Sequence, residues 1–214
     1  MTVRLVMLGP PGAGKGTQAE RFARTRGVPK ISTGDILREA VQEGTEIGRA
    51  AKAVMDTGRL VGDDVMIEIV RERLRRPDAQ RGFVLDGFPR TVRQAEALDR
   101  LLDDDIPLVV VDIEVPEETL VRRLSTRRIC RQCGWTAAPG LTSCAKCGGE
   151  LIQRRDDNSE VVRERLQIYR RDTQPLVEFY SRRPSFRSVD GDQPADSVAE
   201  DLAAAVASVT GGGA

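Results

Sequence analysis

The chain has 214 residues, 40% apolar and 31% charged, with 33 basic and 33 acidic side chains and so no net charge. This composition suits one folded domain with small insertions and argues against a disordered chain or a general nucleic-acid binder, which carries a basic excess. Histidine is absent, which excludes Ser-His-Asp triads, HExxH metal sites and imidazole pH switches. No run of about 18 apolar residues occurs, so no spanning helix is expected. The apolar run Val3–Leu8 is broken by Arg4 and stops at Gly9, unlike a secretory signal. The expected location is cytoplasmic.

Val3–Leu8 reads as a short buried strand and Lys15–Arg26 as the helix after it. Between them stands Gly9-Pro-Pro-Gly-Ala-Gly-Lys-Gly-Thr17. Glycines let a backbone wrap closely around an anion, and the N–H groups of the loop and helix start face it. The loop is a phosphate cradle: Gly12, Ala13, Gly14, Lys15, Gly16 and Thr17 are its nucleotide-binding residues, with Lys15 as a mobile positive charge. The generic pattern places Ser or Thr directly after the lysine. Here Gly16 stands there and Thr17 follows, so Thr17 is assigned to the metal or phosphate side.

A second strand is expected at Val28–Ile31, then helices at Asp35–Glu43, Ile47–Thr57 and Asp63–Arg75. Gly82–Leu85 reads as a strand, and Thr91–Leu102 as a helix capped by Thr91. Leu108–Ile113 reads as the clearest strand, four apolar residues running together as in a parallel sheet buried on both faces. A helix follows to about Arg127. Residues 129–152 lose helical periodicity and hold all four cysteines, as an inserted module would. Helix resumes at Ser159, is kinked or restarted by Pro175, and is followed by a strand at Phe186–Val189 and a helix at Ala195–Val209. Gly211–Ala214 is expected to fray. Alternating strands and helices predict an α/β, doubly wound parallel core.

Two segments follow the second and third strands: Ser32-Thr-Gly-Asp-Ile-Leu-Arg38 and Leu85-Asp-Gly-Phe-Pro-Arg-Thr-Val-Arg-Gln94. In a parallel sheet both lie at strand carboxyl ends, beside the phosphate loop. With GxPGxGKGT, these motifs resemble the adenylate kinases, of the bacterial long-lid kind, from Val3 to about Asp190. The resemblance implies a P-loop kinase core with a five-stranded parallel sheet flanked by helices, over 1–31, 62–125 and 158–214. It implies an AMP-binding helical insertion over 32–61 and a lid over 126–157. The implied reaction is reversible, Mg²⁺-dependent transfer, ATP + AMP giving two ADP, by direct in-line displacement without a phosphoenzyme.

The implied roles fall as follows. Thr33, Arg38, Arg90 and Gln94 match AMP-binding positions. Arg59, Leu60 and Val61 match the segment beside the AMP adenine, and Gly87, Phe88, Pro89 and Arg90 the strip along that nucleotide. Gln94 is also readable physically, because a primary amide donates and accepts at once, as adenine's N1 and N6 edge requires. Asp86 fits a partner of Mg²⁺-bound water. Arg123 resembles the arginine packed on the ATP adenine, and Gln193 falls where the last loop touches that base. Arg127, Arg154 and Arg165 close from the ATP side, with Arg154 and Arg165 also reaching AMP. Phosphoryl transfer needs alignment and charge stabilisation, which planar, permanently charged arginines supply. Lys15, Arg38, Arg90, Arg123, Arg127, Arg154 and Arg165 are therefore the catalytic set, about seven positive charges against roughly six on ATP and AMP.

Cys130-x2-Cys133 and Cys144-x2-Cys147 can enclose one tetrahedral, structural Zn²⁺ with no open coordination position. Disulfides are the disfavoured reading in a reducing compartment, and iron suits four thiolates as well. Within the resemblance the knuckles are the lid, shorter than the family's usual form because only ten residues separate the two pairs. Trp135 is expected to cover the metal cluster. The expected partners are ATP, AMP and ADP, with no nucleic acid or membrane, and the chain is expected to be a monomer. Two alternatives stand beside this reading. One is a UMP/CMP kinase. The other is a nucleotide-dependent zinc-ribbon nucleic-acid-binding protein, suggested by the basic residues around the knuckles.

Overall fold

In the computed structural model, which describes residues 2–102 and 105–211, five parallel strands form the central sheet. They are β1 (Val3–Leu8), β2 (Lys30–Ser32), β3 (Gly82–Asp86), β4 (Leu108–Glu114) and, last in the chain, β7 (Phe186–Asp190). Their spatial order is β2-β3-β1-β4-β7. All six residues of β1 are buried, because the central strand is covered on both faces. Side chains alternate across the pleat. Leu5, Met7, Val109, Val111 and Ile113 enter one core layer, while Val6, Leu8, Val110 and Leu85 enter the other. The expected α/β parallel core with five strands is borne out.

Helices cover both faces. The first layer packs against α1 (Lys15–Arg26), α6 (Glu117–Thr126), α7 (Ser159–Ile168) and α9 (Ala195–Thr210), through Phe22, Leu124, Leu166 and Leu202 among others. The second packs against α2 (Thr33–Glu43), α3 (Glu46–Asp56), α4 (Asp63–Leu74), α5 (Val92–Leu101) and α8 (Pro175–Ser181), through Leu37, Ala51, Val70, Leu98 and Leu176. The chain runs from β1 out to β2 and β3 on one side, then to β4 and β7 on the other. Loops from the two halves therefore diverge at the carboxyl end of β1, where open α/β sheets bind ligands.

Local chemistry explains where elements depart from expectation. β2 starts at Lys30, not Val28. The Val28 N–H closes the end of α1 on the Ala23 carbonyl at 3.1 Å, after Gly27 in the left-handed region, and Pro29 has no N–H for the ladder. Helix α2 starts at Thr33 rather than Asp35, because Ser32 caps it by accepting from the Asp35 N–H. Thr91 caps α5 as expected, accepting from the Gln94 N–H, a contact worth about 1 kcal/mol. Before Pro175 the chain widens into a π turn at Tyr169–Thr173, with Gln174 N–H bonded to the Tyr169 carbonyl at 2.8 Å, and α8 restarts at the proline. Residues 212–214 of the expected frayed tail lie outside the described residues.

The inserted module is a two-stranded antiparallel ribbon, β5 (Arg128–Cys130) with β6 (Leu151–Gln153). Its small core is Cys130, Cys144 and Leu151, with Trp135 and Ala137 packed against it. Trp135 thus lies over the cysteine cluster. Among the described residues, no helix is long and apolar enough to cross a membrane.

Candidate active site and cysteine cluster

The glycine loop connects β1 directly to α1. Gly9 begins it at φ +133°, and a Cβ there would stand 2.7 Å from the Ile113 carbonyl oxygen, so only glycine lets the loop leave β1 beside β4. Gly14 precedes α1 with no side-chain cap, and no acidic residue lies in the first turn. The first N–H groups of α1 are thus left for an anion, at the positive end of the helix dipole. Lys15 folds back over the loop, its Nζ donating to the carbonyls of Gly9 at 2.6 Å and Pro10 at 2.9 Å. Desolvation pulls its pKa down to about 8, against the attraction of Asp86 and with the help of Arg90 and Arg165. Asp86, at the carboxyl end of β3, stands next to the loop: a Cβ on Gly16 would lie 3.3 Å from its Oδ2. Thr17 is exposed in the first turn of α1, and Ala13 and Gly12 pack inward against the core and α6.

Beside the loop opens a cleft lined by Thr33, Arg38, Arg59, Leu60, Val61, Gly87, Arg90, Gln94, Arg154 and Arg165, all expected site residues. Met55, Met66, Leu37, Gly34, Gly58 and Asp156 complete its wall, none of them anticipated. Thr33 donates its hydroxyl to the Gly87 carbonyl at 2.9 Å, and Arg90 Nε donates to the same oxygen at 2.8 Å. Gly87 holds φ +82°, and a Cβ there would stand 3.0 Å from the Arg90 guanidinium. The glycine is what lets Arg90 lie along the turn. Phe88 and Pro89 do not line the cleft. Phe88 is 1% exposed in the core, and a cis peptide joins it to the buried Pro89.

The arginines crowd one another. Desolvation lowers the pKa of Arg38, with Arg154 adding to the fall. Desolvation also lowers Arg90, with Arg38 and Arg154 opposing its charge in turn. Arg165 falls to about 10 through desolvation, then through Arg154 and Arg127. Cations that repel one another in a partly desolvated cleft suit an anionic ligand.

Two carboxylates that sequence reading missed hold the group together. Arg154 makes a two-pronged pair with Asp156, at 2.9 and 2.6 Å, and Arg165 reaches Asp156 at 3.0 Å and Asp157 at 3.2 Å. Arg127 makes a two-pronged pair with Asp157, whose side chain has no exposed surface. Asp156, although desolvation works to raise it, is held down to about 2 by Arg154 and Arg165. Both carboxylates sit in the single turn Arg155–Asp157, between β6 and α7. They join the base of the ribbon to the cleft. The signal available in the sequence was only an acidic pair after two arginines, which usually marks a solvated turn.

Arg123 and Gln193 lie away from this cleft. Arg123 donates to the Gly191 carbonyl at 2.9 Å, and Gln193 Nε2 donates to the Asp190 carbonyl at 2.9 Å and to Asp201. The two share the β7–α9 loop, on the far side of the phosphate loop from β3 in the strand order. On the ribbon, Lys146 pairs with Glu20 of α1 at 2.9 Å, so the module rests against the helix that begins at the phosphate loop.

The four cysteine sulfurs lie within 4.8 Å of one another. Cys130 and Cys147 are 3.5 Å apart, Cys133 and Cys144 3.6 Å, and all four are free thiols. A tetrahedron of sulfurs about 2.3 Å from a metal has edges of about 3.8 Å, so the cluster fits such an ion and leaves no open position. The Lys146 N–H points at the Cys144 sulfur at 3.4 Å. Backbone N–H groups of Cys133 and Gln132 lower the Cys130 thiol to about 6. That favours the thiolate of Cys130, the form a metal binds, whereas the neighbouring sulfurs raise Cys133 and Cys147, whose protons a bound metal would displace.

The family model for adenylate kinase matches residues 7–185. The chain is 49% identical to an adenylate kinase of Archaeoglobus fulgidus over 94% of this chain and 97% of that protein. It is 50% identical to one of a Geobacillus species, over 94% and 96% respectively. It is 47% identical to one of Thermodesulfovibrio yellowstonii, over 94% and 98%.

Proposed function

The chain belongs to the adenylate kinase family and is an ATP:AMP phosphotransferase; we propose that the cationic cleft between the phosphate loop and the base of the ribbon carries out direct, in-line transfer between the two nucleotides. The observation that carries this reading is the convergence of Arg38, Arg90, Arg154 and Arg165 on one cleft beside Lys15 of the phosphate loop, where desolvation and repulsion from neighbouring cations lower the pKa of Lys15, Arg38, Arg90 and Arg165. Such an array suits the several charged phosphates of two nucleotides better than those of one.

In this reading AMP occupies the cleft, its base beside Gln94 and the Arg59–Val61 segment and its phosphate between Arg38 and Arg90. ATP lies over the loop from Gly12 to Thr17, with its base toward Arg123 and Gln193. Lys15 leaves the Gly9 and Pro10 carbonyls for phosphate oxygens of ATP. Its lowered pKa recovers when those anions arrive, because an opposite charge favours the ammonium form. Asp86, beside Gly16, and Thr17 are the residues that would hold Mg²⁺ through its water. Bound there, the ion supplies charge neutralisation between the phosphates. Arg127, Arg154 and Arg165 bring positive charge to the transferred group as the lid closes, and Asp156 and Asp157 keep their guanidinium planes oriented. Residues 32–61 act as the AMP flap and 126–157 as the lid. The lid excludes water that would otherwise accept the phosphoryl group. The cysteine cluster holds zinc, as structural metal in a module too small to order itself by packing. The protein works as a cytoplasmic monomer without a nucleic-acid or membrane partner.

Offering AMP, UMP, CMP and GMP separately with Mg-ATP tests the acceptor. Turnover is expected with AMP at least about 100-fold above the others, on the scale of discrimination set by hydrogen-bonded base recognition. Equal or better turnover with a pyrimidine nucleotide contradicts the assignment of the cleft to AMP.

A further inference from the structure

Gln94 is 2% exposed at the start of α5, and its amide already makes two contacts within the chain. Its Nε2 donates to Asp63 Oδ1 at 2.7 Å, and its Oε1 accepts from the Arg90 N–H at 2.8 Å. Asp63 is the first residue of α4, 31 positions away. Its other oxygen, Oδ2, accepts the Thr91 hydroxyl at 3.0 Å, while Thr91 Oγ1 accepts the Gln94 N–H at 3.2 Å. Side chain, hydroxyl and backbone close a ring around one carboxylate.

This ring decides which way the amide faces. An ionised carboxylate only accepts and a backbone N–H only donates. Turning the amide over would set oxygen against carboxylate at one end and NH2 against N–H at the other, two buried mismatches at once. A primary amide has two N–H groups and two lone pairs, so one of each remains for the cleft that Gln94 lines. That remaining pair complements a base edge with an acceptor beside an amino donor, as in adenine. A 6-oxopurine has the reverse edge, N–H beside a carbonyl, and meets donor with donor and acceptor with acceptor.

We propose that Asp63 is a positioning residue that fixes the Gln94 amide in one orientation and thereby makes the acceptor site select 6-aminopurine over 6-oxopurine monophosphates. The inference rests on the assignment of the cleft to AMP. Asp63 touches no nucleotide in this account. It acts through Gln94, and it adds a negative charge that the Arg90 N–H alone does not supply.

The test compares AMP with inosine monophosphate, which differs from it only at position 6 and the adjoining N1, in the wild type, Asp63→Ala and Asp63→Asn. In Asp63→Ala, KM for AMP is expected to rise about ten-fold or more, with a smaller change in kcat and none in KM for Mg-ATP. The ratio of kcat/KM for AMP over inosine monophosphate is expected to narrow by about ten-fold. Asp63→Asn, which keeps an acceptor but loses the charge, falls between, and it serves as the informative variant if the alanine protein does not fold. A ratio unchanged in the folded variants, whether both rates fall together or neither moves, overturns the inference and leaves Asp63 a plain link between α4 and α5. A wild type that does not use AMP at all overturns the acceptor assignment instead.

Discussion

Replacing Arg90 with alanine lowers kcat/KM for ADP formation by roughly 10²–10³ or more. Arg90 lies between the two halves of the site. Its Nε is fixed on the Gly87 carbonyl, and its charge interacts with Asp86 on the loop side and with Arg38 and Arg154 on the cleft side. No neighbour can stand in for it, because Arg38 is committed to Asp35, and Arg154 to Asp156. Its pKa is already lowered by desolvation, so the chain bears a cost in holding this charge without a ligand. The anion relieves that cost, and most fully where charge spreads onto the transferred group. The backbone N–H that holds Gln94 remains in the variant, so base recognition should survive. The loss is read from steady-state rates at varied AMP, with melting temperature as the control for folding. Turnover within about three-fold of wild type removes Arg90 from the catalytic set.

Removing the metal from the cysteine cluster, by chelation verified by metal analysis or by Cys144→Ser, lowers the melting temperature by roughly 5–10 °C. The reason is size. The ribbon's own core is three buried residues with Trp135 and Ala137 against them. Metal-free, the four sulfurs, at 3.5 and 3.6 Å across the two pairs, lose the ion that joins them, and the two knuckles lose their common centre. The core sheet does not depend on the ribbon, so chemistry at room temperature should survive longer than thermal stability. The ribbon's base carries Arg127, Arg154 and the Asp156–Asp157 turn. A loosened ribbon should therefore show its effect on catalysis as raised ATP hydrolysis, through water admitted to the site. A melting temperature unmoved by complete metal removal contradicts the structural role.

The strands were legible because their apolar runs are short, broken by no more than one charged residue and bounded by glycine or proline, as at Val3–Leu8, which stops at Gly9, and Leu108–Ile113, which follows Pro107. Where the sequence misled, as at Val28, a helix cap competed for the same N–H, and propensity alone carries no record of that competition. The expected cleft residues could be named because the motifs sit at strand ends, where topology brings them together. Phe88 shows the limit of motif reading: it stands within a binding strip, yet its side chain is core. Asp63, Asp156 and Asp157 were not legible. An acid at a helix start or in a turn after arginines looks like ordinary surface chemistry, and only folding places Asp63 against Gln94 and Asp157 against Arg127.

The most direct measurement supplies Mg²⁺ and ADP alone, without ATP, AMP or any other acceptor, and follows all three nucleotides. An enzyme that holds two adenine nucleotides together and passes a phosphoryl group directly between them converts ADP into ATP and AMP in equal amounts. ADP that stays unchanged, or yields AMP and free phosphate without ATP, contradicts the account.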